Sequence, residues 1–139
     1  MEITLHRALA MRKTTKERVR KEIGACTFIE VAIGTADTVN GVSVEQIRKN
    51  IKAGYDKITA LIDNYEALNR AISRTNAGVT SESNIAETEI GGKKYVLADL
   101  IKLVDVVRTK KLLIEKMNLG YISCRLAVLS AFISGRLRM

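Results

Sequence analysis

The stretch SVEQIRKNIKAGYDKITALIDNYEALNRAISRTNA, residues 43–77, decides the architecture of this chain. Its apolar residues recur at steps of three or four, which places them on one face and predicts a helix over 43–77. Ser43 and Gln46 form an S-x-x-Q capping box at its start, and Gly78 favours the left-handed turn that ends a helix. At 1.5 Å per residue this helix is roughly 50 Å long, so its apolar stripe needs helical partners. The predicted helix seam consists of Ile47, Ile51, Ile58, Ile62, Tyr65, Leu68 and Ile72.

The remaining segments predict a mainly α fold in a single helical domain over residues 1–139. We expect a long antiparallel helical hairpin with a short N-terminal helix and a small β-hairpin or three-stranded sheet. The predicted segments are a basic helix over 1–23, a strand over 26–33, a β-hairpin over 85–97 and a helix over 98–118. Gly91-Gly92 supplies the hairpin turn, and the helix over 98–118 is the natural partner of the long helix. The sequence does not decide whether the strand over 26–33 joins the hairpin.

Residue types that carry chemistry are sparse and scattered. The single histidine, His6, lacks a partner at catalytic or metal-binding spacing, and two cysteines lack a C-x-x-C context. Asp99 and Asp105 are not spaced to meet on one helix face, which indicates solvated charges. The Gly-Gly-Lys-Lys run over 91–94 lacks the other residues of a phosphate loop. We therefore expect no enzyme, no cofactor and no metal site.

The net charge of +8 is concentrated at the two ends of the chain. Residues 1–23 have seven basic and three acidic side chains (+4), and residues 108–139 have seven basic and one acidic (+6), whereas residues 24–107 have nine basic and eleven acidic (−2). This asymmetry suggests an acidic partner at the basic ends, either nucleic acid such as DNA or an acidic protein surface; alternatively, the charge only keeps the chain soluble. The candidate patch for that partner is Arg108, Lys110 and Lys111; the alternative is a solvated helix face.

Residues 119–139 form an apolar and basic tail without an evident partner in the chain, and Gly120 either ends the helix over 98–118 or lies at a bend through which that helix continues. Arg125 interrupts the apolar run, which is too short to span a membrane. Because the long helix exceeds a partner of about 20 residues, and because exposed apolar patches mark interfaces, we expect a homo-oligomer or a subunit of an assembly. Alternatively, the tail folds back and completes a monomeric core. The candidate interface residues are Leu126, Leu129, Phe132 and Ile133.

Four segments together resemble small helical proteins encoded by tailed phages of Gram-positive bacteria, and the likeness covers about residues 3–118. The segments are ITLHRALAMRK, NGVSVEQIRKNIKAGYDKITALI, LNRAISRTNA and IGGKKYVLADLI. The chain is more distantly similar to the septicolysin-like family, which has a hairpin motif G-K-x-Y-x-x-A-[DE]. That motif stands here as Gly92, Lys93 or Lys94, Tyr95, Ala98 and Asp99, with Val96 where the family pattern has a helix-capping Thr.

The resemblance implies a structural component of a phage virion, assembled in the host cytoplasm. Its implied partners are other virion proteins and further copies of itself, reached through helix-mediated or coiled-coil contacts. The septicolysin name suggests a toxin, but no segment resembles a membrane-inserting one. The alternative function is a small basic DNA-binding or DNA-packaging accessory protein.

Overall fold

The computed structural model describes residues 4–32, 36–76, 78 and 87–134, and this part of the chain is mainly helical, as predicted. Its helices are α1 (Leu5–Ala25), α2 (Val44–Asn76) and α3 (Leu97–Ile133). Two contacts between α2 and each neighbouring helix establish their directions. Glu22 and then Lys16 of α1 meet Lys57 and Tyr65 of α2, through an ion pair of 2.8 Å and a cation–π contact. Asp99 and then Lys110 of α3 meet Arg74 and Glu66 of α2, at 3.2 and 3.3 Å. Helix α2 therefore runs antiparallel to both of its neighbours.

The described residues also contain two small antiparallel β-hairpins. Strands β3 (Glu87–Ile90) and β4 (Lys93–Val96) form the predicted hairpin, and Gly91 and Gly92 both adopt the positive φ of its tight turn. Strands β1 (Thr38–Val39) and β2 (Val42–Ser43) form a second hairpin about Asn40-Gly41, where the sequence predicted a turn alone. Asn-Gly is the strongest short hairpin signal, so this pair was recognisable.

The hydrophobic core lies where the three helices meet. It combines residues of α1, α2 and α3 with one residue of the α1–α2 connection: Val19, Ile23, Phe28, Ile58, Ile62, Tyr65, Val106 and Leu113. Helix α1 therefore shares the apolar face of α2 with α3. A 37-residue α3 and a 21-residue α1 cover that face, so the length of α2 no longer argues for a second chain.

The helix starts follow the sequence signals closely. The Thr4 hydroxyl accepts from the Arg7 amide at 3.4 Å, as expected of an N-cap. Half of the predicted capping box forms: the Gln46 amide donates to Ser43 Oγ at 3.2 Å, while the Gln46 side chain binds Asn50. Helix α3 starts after Val96, whose side chain cannot cap.

The predicted strand over 26–33 is wrong for residues 26–32, and Ile33 lies outside the described residues. Residues 26–32 form an irregular segment that pairs with no strand in the described part of the chain. Phe28 explains the apolar composition of this segment, because its side chain is buried in the helical core. Side-chain burial, and not a ladder of backbone hydrogen bonds, accounts for the run of apolar residues. A three-stranded sheet is therefore excluded for these residues.

The prediction that α3 ends near residue 118 is also wrong, because α3 continues to Ile133. A single Gly120 costs about 1 kcal/mol of helix propensity, which extension of an existing helix can offset. Gly24 likewise lies inside α1, which was expected to stop there. The outer parts of several predicted segments lie outside the described residues: 1–3, 77, 85–86 and 135–139.

Candidate interaction face of the third helix

Helix α3 is apolar on two opposite sides. Its inner side contributes Val106 and Leu113 to the core. Its outer side carries apolar residues that are between 41% and 83% exposed: Leu97, Ile101, Val104, Leu112, Leu119, Ile122, Leu126, Leu129 and Ile133. Together with Arg108 and Glu115 these positions form one straight line along the helix, with an average step of about 3.6 residues. We call these eleven positions the outer stripe.

The outer stripe is interrupted by charge in its middle. The Arg108 and Glu115 side chains are 76% and 51% exposed. Each has an ion-pair partner on its own helix, Asp105 at 3.9 Å and Lys111 at 3.7 Å. Exposed pairs at such distances contribute at most about 1 kcal/mol, so both charges remain available to another partner.

The structure separates the residues of the predicted basic patch. Lys110 points toward α2, where its ammonium lies 3.3 Å from a Glu66 carboxylate oxygen. Arg108 lies on the outer stripe, and Lys111 flanks it beside Glu115. These three side chains do not form one phosphate-facing surface, because residues 110 and 108 project from opposite sides of the helix.

The predicted interface residues lie on the last two turns of α3, and all are exposed. Leu126, Leu129 and Ile133 belong to the outer stripe, while Phe132 lies on another exposed side of the helix, in line with Ile114 and Tyr121. The inner side of the same segment meets the α1–α2 connection, where the Cys124 thiol donates to the Ile29 carbonyl at 3.8 Å. The segment is thus attached to the fold as far as Cys124, whereas residues 125–133 are exposed on all sides except at the half-buried Ala131. The tail therefore packs partly on its own fold, as one sequence-based alternative expected, and exposes apolar residues to a partner, as the other expected.

The residues of the predicted helix seam differ in how deeply they are buried. Ile58, Ile62, Tyr65 and Ile72 are buried, whereas Ile47, Ile51 and Leu68 are half-buried. Leu68 lines a groove of about 540 Å³ between α1 and α2, together with Met11 and Arg18. Sequence reasoning assigned this seam to the contact with α3, and the structure adds α1 as a second partner.

A buried polar cluster joins the end of α2 to the start of α3, and sequence reasoning missed it. Asp99 was interpreted as a solvated charge, but its side chain is 2% exposed and accepts from Arg74 at 3.2 Å. Arg70 lies 4.0 Å from the same carboxylate and packs over the Tyr95 ring at 5.4 Å. The residues Asn69 and Ser73 are also buried, and their side-chain polar atoms have no hydrogen-bond partner among the described residues. The sequence did contain a signal for this cluster: two arginines lie one turn apart near the end of the long helix, and an acidic residue lies at the start of the next helix.

Other chemistry-bearing residues stand apart from this cluster. His6 is exposed at the start of α1, and both cysteines are free and half-buried. Burial raises the pKa of the Cys26 thiol, and the nearby Glu22 carboxylate raises it further. The thiol therefore stays protonated. A hydrogen bond from Lys57 lowers the pKa of Glu22. Within the part of the chain that the structure describes, no group of three or more metal-ligating side chains comes together.

We compared the chain with protein-family models, curated proteins and solved structures, and none of the three comparisons gives a match. A search of the described residues finds no helix with a stretch long and apolar enough to cross a membrane. The outer stripe is therefore the feature of the described residues that bears most directly on a function.

Proposed function

We propose that this chain is a structural component of a tailed-phage virion, acting through helix-mediated contacts with other virion proteins and with further copies of itself. The observation that carries the proposal is the outer stripe of α3. Nine large apolar side chains face away from the core of their own chain along the whole length of a 37-residue helix. Monomeric proteins rarely expose this many large apolar side chains along one helix, whereas subunits of assemblies do.

The extent of the outer stripe matches a protein interface. An exposed half of a large apolar side chain offers on the order of 100 Å². Nine such side chains offer roughly 800–900 Å², which is what one partner contributes to an interface of standard size. The charged side chains of Arg108 and Glu115 at the centre also favour a partner that carries complementary charges over a partner whose surface is purely apolar.

The virion setting is supported by the resemblance of residues 3–118 to small helical phage proteins. An architectural role also agrees with the chemistry of the described residues, where the buried polar groups serve helix packing. Asp99, for example, is held by arginines of α2.

Mass spectrometry of particles purified from the phage that encodes this sequence tests the proposal. We expect peptides of the chain to co-purify with the particles at a fixed ratio to the major structural proteins. The variant Leu126→Lys, which charges the outer stripe, should be depleted from particles several-fold. The matched control Leu9→Lys changes an exposed leucine of α1 and should be retained.

Absence of the unaltered chain from purified particles would overturn the proposal. If the purified chain then bound duplex DNA with an affinity that falls steeply with salt, the DNA-binding alternative would replace it.

A further inference from the structure

Eight of the eleven positions of the outer stripe are spaced symmetrically about a point 3.5 residues before the middle of α3. These eight positions, which leave out Leu112, Leu129 and Ile133, are 97, 101, 104, 108, 115, 119, 122 and 126, so their steps are 4, 3, 4, 7, 4, 3 and 4. The midpoint falls between Lys111 and Leu112. Leu112 itself is half-exposed beside that midpoint.

The chemistry of the outer stripe is arranged about the same midpoint. Arg108 and Glu115 lie 3.5 positions on either side of it, with opposite charges. Outside these two charged positions, each of the remaining apolar residues has an apolar residue at the same distance on the other side of the midpoint. The pairs are Val104 with Leu119, Ile101 with Ile122, and Leu97 with Leu126. When two identical helices pack antiparallel about this midpoint, each position of one faces its mirror position on the other.

From this arrangement we infer that two copies of the chain pair antiparallel along their outer stripes, so that Arg108 of each copy binds Glu115 of the other. The inference rests on the proposed function and specifies the self-contact within it. It brings six apolar side chains from each copy into a contact about 45 Å long, at 1.5 Å per residue. The two-fold axis passes between the two copies of α3, at the level of Leu112.

A parallel pair is disfavoured by the same residues. It would place Arg108 on Arg108 and Glu115 on Glu115, which puts like charges directly opposite each other in the seam. The antiparallel pair instead forms two ion pairs that are shielded by apolar residues on both sides. Both side chains can reach a partner without disturbing the fold, because they extend from the side of α3 opposite the core.

Charge exchange at the two central positions tests the pairing. Sedimentation equilibrium should show that Arg108→Glu and Glu115→Arg each raise the dissociation constant of the dimer at least about tenfold, since each creates two like-charge contacts. The double variant R108E/E115R should return within roughly threefold of the unaltered chain. The control Arg20→Glu makes the same charge change on an exposed residue of α1 and should leave the dissociation constant unchanged. Circular dichroism should show the same helix content for all four proteins.

Disulfide trapping then tests the orientation, in a chain with Cys26→Ser and Cys124→Ser. The antiparallel pair brings residue 104 of one copy next to residue 119 of the other, within the Cα distance of about 7 Å that a disulfide requires. The double variant V104C/L119C should therefore form a covalent dimer on oxidation, and Val104→Cys alone should not. A covalent dimer of Val104→Cys alone, or a double charge variant as weak as the single ones, would overturn the antiparallel pairing. Either result would leave the proposed virion role standing, because particle incorporation is measured separately.

Discussion

The guanidinium of Arg74 lies 3.2 Å from the carboxylate of Asp99, which is buried at the start of α3. The two residues are 25 positions apart and join the last turn of α2 to the first turn of α3. The pair sets these helix ends side by side, so that α3 runs back along α2 and its opposite side faces outward. A buried carboxylate thus helps to determine which side of α3 forms the outer stripe.

Removing the charge of Arg74 should destabilise the fold measurably. Arg74→Met leaves a buried carboxylate with Arg70 as its remaining cationic neighbour, at 4.0 Å. Because Arg74 is 41% exposed, we expect a cost of about 1–3 kcal/mol, below that of a fully buried pair. Lys49→Met removes an exposed ion pair within α2, away from the outer stripe, and should cost less than about 0.5 kcal/mol. Urea unfolding measures both, and equal costs would contradict the structural role of Asp99.

Helix packing is tested most sharply at Ile58, which is fully buried in the core. Ile58→Asp places an unpaired charge among apolar side chains of three helices, so cooperative thermal unfolding should be lost. Tyr55→Asp makes a comparable change three residues earlier, at an exposed position, and should keep a cooperative transition. A melting temperature of Ile58→Asp within a few degrees of the parent would refute this packing.

Two helical glycines should respond oppositely to alanine. A Cβ at Gly54 would lie 2.5 Å from the Cys26 Sγ, whereas a Cβ at Gly24 meets none of the described atoms within 4 Å. Gly24→Ala should therefore stabilise the chain by about 0.5–1 kcal/mol through helix propensity. Gly54→Ala should destabilise it by about 1–3 kcal/mol through crowding.

The crowding at Gly54 can be separated from other effects with a second substitution. In the background Cys26→Ala the obstructing sulfur is absent, so Gly54→Ala should become neutral or stabilising there. Equal effects of Gly54→Ala in both backgrounds would show that Cys26 does not limit this position. Urea unfolding gives all the free energies of unfolding that the comparison needs.

The Cys26 thiol should react slowly at neutral pH. Burial raises its pKa above the ordinary value of 9.0, so the folded state favours the protonated, unreactive form. In a Cys124→Ser chain, alkylation by iodoacetamide should be slower in the native protein than in urea, and should rise at higher pH. The linked stability is fully present below the unfolded thiol pKa and declines as the pH rises through the folded one. Equal native and unfolded alkylation rates between pH 7 and 9 would contradict the raised pKa.

The long helix was predictable because its signals are local. The apolar spacing, the Ser43 cap and the turn at Gly78 all lie within the segment they define, and the observed α2 starts within one residue of the predicted position. The Gly91-Gly92 turn was predictable for the same reason. Local signals also explain one error, since the β-branched run around Phe28 has strand composition but is buried against helices.

The candidate face was only partly predictable, because exposure is a property of the folded molecule. Leu126 and Ile133 were recognised as apolar residues without cover, but Leu97 was assigned to the β-hairpin and Ile101 to the following helix, without a prediction that either faces outward. Asp99 was misjudged because its arginine partners are distant in sequence. The end of α3 was placed near residue 118 with continuation left open, because one glycine at position 120 is a weak stop signal.

The molar mass of the unaltered chain in solution tests the central claim, that the outer stripe of α3 is a protein interface. Sedimentation equilibrium from about 1 to 100 μM covers the affinities expected of a specific interface of this size. The account predicts a rise from the chain mass of 15.4 kDa to twice that value, abolished by Leu126→Lys and unaffected by Leu9→Lys. A mass of one chain at every concentration, or a dimer that Leu126→Lys leaves intact, would contradict it.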